Sequence, residues 1–226
     1  MAASGNLNAT GFPDLAPVRC SEPAAYAHAS AEGVFAVLTA LASGRPQVID
    51  LSMQEAVMIA NMGSAGQFPR TGNKGQRQGA SLGKTREIWP CKDGFISFGL
   101  RGGPSRLRNF EILQEQLAQE NLLTPAWIAR DWSRFNPSTL DNDELHDIEA
   151  PLAAYFARYT MTELYALAVS SNLMLAPANS AAEILASVQL RARDMFAPVG
   201  DIEQFPARFF IARDPQNQHV NVAPPH

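Results

Sequence analysis

Three observations predict a helix-rich, mixed α/β fold for this chain of 226 residues. Apolar residues recur at helical spacing through most of the second half, three segments place Ser or Thr three residues before Glu, and the β-branched runs are few and short. With 46% hydrophobic and 18% charged residues, the chain can bury a sizeable core in one large or two small domains. Two cysteines, Cys20 and Cys91, are too few for a disulfide framework and lack the C-x-x-C spacing of zinc or redox sites, so a cytoplasmic chain without a metal is expected. The longest apolar run, 34–42, is too short to span a bilayer, and residues 1–13 lack the basic head and apolar stretch of a secretory signal. No membrane is expected as a partner.

Each element follows from local chemistry. Ser21, Glu22 and Pro23 place a capping hydroxyl, an acid and a proline in the first turn of a helix running to about Ala42, whose body is small and apolar on most faces. Such a helix needs cover. Gly44 ends it, the run 47–51 reads as a short strand, and Ser52 with Glu55 forms a capping box for a second helix toward Ala65. Residues 88–98 read as a hairpin about Asp93-Gly94. From Ser105 the pattern turns helical: Leu107, Phe110, Leu113 and Leu117 share one face, Trp127, Ile128 and Trp132 mark a short helix, and Leu145, Ile148, Leu152 and Phe156 define another. Thr160 with Glu163 and Ser180 with Glu183 are two further capping boxes. Residues 196–225 mix short apolar runs with proline and suggest no helix.

Net charge is −4, but it is unevenly spread. Between Arg70 and Arg108, nine basic residues face only Glu87 and Asp93, a window of +7, while the remainder carries −11. Gly72, Gly75, Gly79 and Gly83 fall in this window among few apolar residues, which predicts a mobile cationic loop able to offer N–H groups to phosphate or an oxyanion. The window lacks interleaved aromatics, so nucleic acid is not expected as a partner. Trp89, Trp127 and Trp132 read as core or interface anchors.

Several ordered blocks resemble the family III CoA-transferases. Residues 43–56, SGRPQVIDLSMQEA, resemble that family's T-G-R-G-Q-x-V-D-V-S-M-x-E-A, departing at Pro46. Lys92-Asp93-Gly94-Phe95-Ile96 is similar to its K-D-G-Y-V hairpin. Leu175 to Ala178, Ala182 to Leu185 and Gln189 to Arg193 are similar to its A-P-V, E-x-L and Q-L-x-A-R segments. The resemblance implies a partial family fold, N-terminally truncated, which lacks most of the Rossmann-like half and carries a smaller α+β domain. On it, residues 1–83 are a remnant of the large domain with the glycine loop, 84–187 the small domain, and 188–226 a return segment.

The resemblance also implies chemistry. Family members move CoA from an acyl-CoA thioester to a carboxylic acid through an enzyme carboxylate near the start of the long helix. Here that region holds no Asp, which leaves Glu22 as the nearest nucleophile, with Glu32 second. His28 stands at i, i+4 from Glu32 and could form an acid–base pair with it. Such a pair is also common as a structural feature. Arg70, Gly72, Gly75 and Gly79 resemble the loop that closes over the active site and are expected to contact coenzyme A, a substrate here in the form of acyl-CoA. An α-methylacyl-CoA racemase-like enzyme and a non-catalytic chain needing a partner are the alternatives. Relatives form interlocked homodimers, so self-association or a partner chain is expected.

Overall fold

The structure, a computed structural model, describes residues 1–20 and 23–207. The described residues divide into two compact units, one up to Leu175 and one from Ala176 onward.

In the first unit a single helical turn, α1 (Asn6–Ala9), precedes α2 (Ala24–Ala42). Alanine-rich, with no proline inside and Gly44 beyond its end at φ +64°, α2 has the composition and the stop of a stable helix. The cap expected from Ser21 lies outside the described residues, as does Glu22. Only Ala29 of α2 is buried. Tyr26, Val34, Phe35, Leu38 and Leu41 all stand more than half exposed, so the predicted need for cover is real within these residues.

The strand expected at 47–51 does not form. Val48 is 99% exposed, and among the described residues no neighbouring strand offers this run a ladder, without which β-branched residues alone do not make a sheet. Ser52 does cap the next helix, its Oγ accepting from the Glu55 N–H at 3.3 Å; of the capping box only this half is made. Helix α3 (Met53–Met58) packs along α2, where Gly33 lets Leu51 approach closely. A 3₁₀ turn, Ile59–Asn61, leads into α4 (Met62–Thr71), so helical structure continues past the expected limit at Ala65 and tolerates Pro69 before Gly72 ends it at φ +68°.

A two-residue hairpin, β1 (Ser81–Leu82) with β2 (Thr85–Arg86), turns at Gly83. The predicted hairpin follows as β3 (Ile88–Pro90) and β4 (Phe95–Ser97), with Trp89 opposite Ile96, both fully buried. Beyond it come α5 (Leu107–Gln119), α6 (Pro125–Ala129), α7 (Asn142–Phe156) and α8 (Met161–Ser171). Reciprocal capping boxes open α7 at Asp141 and Glu144, and α8 at Thr160 and Glu163. Their side-chain oxygens accept from N–H groups that the helix leaves without partners, and each box contributes about 1 kcal/mol.

The main core lies wholly between Trp89 and Leu175. Phe110, Leu113 and Leu117 of α5 meet Ile148, Leu152 and Phe156 of α7 there, as their spacing predicts. The two fully buried tryptophans satisfy their indole N–H groups, Trp89 on the Phe98 carbonyl at 2.7 Å and Trp127 on that of Ile148 at 3.1 Å. Gly102 passes so near Phe135 that an added Cβ would sit 1.9 Å from its carbonyl oxygen.

The second unit begins with β5 (Ala176–Pro177), followed by α9 (Ala181–Ala186), which opens on the predicted Ser180–Glu183 box, and α10 (Val188–Ala192). The antiparallel pair β6 (Phe196–Val199) and β7 (Ile202–Pro206) closes the described chain, a hairpin about Gly200 that sequence reading left as an irregular stretch. Among the described residues no helix is long and apolar enough to cross a membrane.

Candidate active site

Two cavities in the first unit are lined by three of the sequence-predicted residues, His28, Glu32 and Gly75. The smaller, about 180 Å³, is lined from one side by Ala24, Ala25, His28 and Glu32 of α2, and also by Ala56 and Val57 of α3. Helical geometry explains the pairing, because residues four apart share a face. His28 and Glu32 thus open on one space, although no hydrogen bond or ion pair joins them. Small alanines around them leave the space free. Glu22, the nucleophile expected at the start of the long helix, lies outside the described residues.

The larger cavity, about 400 Å³, lies under the glycine loop. Ala9, Met58, Ala65 and Phe68 give it an apolar lining, while Asn61 and Lys74 are among its polar residues. Segments 1–9 and 56–61 contribute to both cavities, with Asn6, Ile59 and Ala60 lining the smaller one and Asn8, Met58 and Asn61 the larger.

The loop itself differs from its expectation as a mobile element. Arg77 donates from Nε to the Phe12 carbonyl at 3.0 Å and from Nη1 to that of Asn8 at 3.1 Å, so one guanidinium ties the loop to the N-terminal segment. Gly79 adds a bond from its N–H to the Gly11 carbonyl at 3.0 Å, and its φ of +58° beneath the Phe12 ring leaves no room for a Cβ. Sequence reasoning missed Arg77, since backbone carbonyls as partners leave no trace in residue type.

The glycine N–H groups expected to cradle an anion are otherwise engaged. Gly72 donates to the Phe68 carbonyl at 2.8 Å and Gly75 to Asn73 Oδ1 at 2.9 Å, while the Gly79 N–H is spent on Gly11. What the loop holds free is side-chain charge. Much of the +7 window serves structure: Lys84 donates to the Leu140 carbonyl, Arg101 pairs with Glu87, and Arg86 lies over the Trp89 ring. Arg70 and Lys74 take part in no ion pair among the described residues. Only Gly75 of the four expected coenzyme-contacting residues lines the larger cavity; Arg70 stands in the last turn of α4 and Gly72 caps it.

Other titratable groups lie apart from these cavities. Burial pushes the Cys91 thiol above its ordinary value, and the free Cys20 is exposed. No cluster of three or more His, Cys, Asp or Glu residues suited to a metal ion occurs among the described residues.

The chain is similar in structure to a CAIB/BAIF family protein from Brucella suis, at TM-score 0.61 and 17% identity over 91% of this chain and 56% of that one. It is also similar to Rv3272 from Mycobacterium tuberculosis in its orthorhombic form, at TM-score 0.64 and 16% identity over 99% of this chain and 58% of that one. The chain therefore spans a little over half the length of these solved relatives, and the likeness shows a shared fold. No curated protein matches the sequence. The model of CoA-transferase family III matches residues 1–226, and the chain belongs to that family.

Proposed function

We propose that this chain carries out, or contributes to, transfer of CoA between an acyl-CoA thioester and a carboxylic acid through an enzyme carboxylate. The observation that carries this reading is the family match over the whole sequence. A carboxylate oxygen would attack the thioester carbonyl, forming a C–O bond, breaking the C–S bond and expelling the CoA thiolate, which leaves a mixed anhydride of enzyme and donor acid. The thiolate returns to the enzyme's own carbonyl and expels the donor acid, leaving an enzyme thioester that the acceptor acid discharges by the reverse sequence. Such a nucleophile must be ionised and poorly solvated, with donors for the oxyanion. Glu22 is our first assignment from the sequence; Glu32 is the second, supported by its place on the smaller cavity. Arg70, with Gly72, Gly75 and Gly79, would meet the CoA portion, the arginine as charge and the glycines as close-approach backbone.

A racemase-like reaction is favoured by one observation: His28 and Glu32 open on the same cavity, as exchange of the proton beside a thioester carbonyl requires. A partner-dependent chain is favoured by the bare apolar face of α2. For the transferase and racemase readings, the folded chain is incubated with a panel of acyl-CoA thioesters, and its intact mass and peptide map are recorded. CoA attached at Glu22 or Glu32 is the transferase result. Deuterium gained from heavy water beside the thioester carbonyl, with no adduct, would replace it with the racemase reading. Neither signal from folded chain alone, but adduct once a partner chain is added, assigns partner dependence.

A further inference from the structure

We propose that the 400 Å³ cavity beneath the loop binds an acid with one carboxylate and an apolar body of a short acyl chain or a single ring, its carboxylate held by Lys74. The proposal deepens the transferase reading by giving its acid substrate a class, and rests on it for that role.

Three features of the lining point there. Its apolar floor of Ala9, Met58, Ala65 and Phe68 favours a body that leaves water, and methionine adapts to chain or ring alike. Among the described residues Lys74 is the only charged one that lines it, and no ion pair among them neutralises this ammonium. No carboxylate among the described residues contributes to the wall, so an entering anion meets no like charge from them. A small diacid such as oxalate would have no second cation for its second carboxylate, only the neutral side chains of Ser4, Asn8, Asn61 and Gln76 beside the apolar lining, and would gain nothing from that lining. The volume falls at the small end of ligand sites, which run from roughly 300 to 1,000 Å³, and leaves no space for a nucleotide with its pantetheine arm. The loop's anchoring by Arg77 to segment 8–12 holds Lys74 beside the opening without a new ordering step on binding.

The test measures binding of hexanoate, phenylacetate, acetate and oxalate to the full chain by titration calorimetry, without CoA present. Hexanoate and phenylacetate should bind at least about tenfold more tightly than acetate or oxalate, and Lys74→Met should weaken hexanoate by about tenfold or more while Lys74→Arg largely restores it. A second variant, Ala65→Leu, should weaken the two larger acids by narrowing the cavity and leave the melting temperature near that of the parent. Oxalate binding as tightly as hexanoate, or hexanoate binding unchanged in Lys74→Met, would overturn the proposal. Because CoA is absent, binding with this pattern on a chain that forms no CoA adduct would leave the acid site standing and remove the transferase role. An adduct on a chain that fails the binding pattern would do the reverse.

Discussion

At Glu120 a single carboxylate ties two elements together. Its Oε1 accepts from the Tyr159 hydroxyl at 2.5 Å and its Oε2 from Arg158 Nη1 at 2.6 Å, linking the end of α5 to the segment after α7. The tyrosine bond, then the arginine bond, holds this carboxyl below its ordinary value of 4.5. A carboxyl lowered on folding stabilises the native state above its ordinary value, and that contribution disappears as pH falls through the lowered folded one. Glu120→Gln should therefore destabilise the chain near neutral pH and flatten the decline of its urea midpoint below pH 4.5; an unchanged acid limb would contradict the assignment. Gly102 is constrained differently, by contact. Gly102→Ala should lower unfolding stability by about 1–3 kcal/mol, because its Cβ would overlap the fixed carbonyl of Phe135. Thiol labelling gives a third check at this scale: exposed Cys20 should react first, while Cys91, whose thiol burial holds protonated, should lag.

Among the elements, α2 and the glycine loop divide sharply in how legible they were. The loop's glycines and charge stood out, yet its docking depends on Arg77 meeting the carbonyls of Asn8 and Phe12, over 60 residues away in sequence and invisible to any local pattern. Arg77→Ala should release it, raising proteolytic cleavage within 72–80 about tenfold or more, since bonds from a charged donor are lost. Helices α5 and α7 and the hairpin β3–β4 were readable because their core faces follow one period and their ends carry local signals. The run 47–51 was misread for the converse reason: β-branched residues report a preference, whereas a strand needs a partner. The small hairpin β1–β2 and the pair β6–β7 carried too few residues for a period to show. Of the candidate site, the i, i+4 relation of His28 and Glu32 was legible, but the cavity they share required the tertiary placement of α3.

Across the whole chain, core and chemistry are separated. The main core lies between Trp89 and Leu175, while the family's candidate residues lie before Arg86, around helices that leave Phe35, Leu38 and Leu41 exposed. We expect that face to be covered by a second copy or a partner chain. Phe35→Glu with Leu38→Glu should shift the molecular mass seen by light scattering toward the monomer, with the core's melting largely unchanged; parent protein monomeric at all concentrations would contradict the self-association. On the proposed route an enzyme carboxylate carries the acyl exchange. The most direct test of that route supplies an acceptor acid labelled with heavy oxygen in both carboxylate positions, together with unlabelled acyl-CoA, to the active chain or assembly. An anhydride route moves one labelled oxygen from the acid onto the enzyme, so the peptide bearing Glu22 or Glu32 should gain that label with turnover. Labelled acyl-CoA forming while every acidic peptide stays unlabelled would contradict the account.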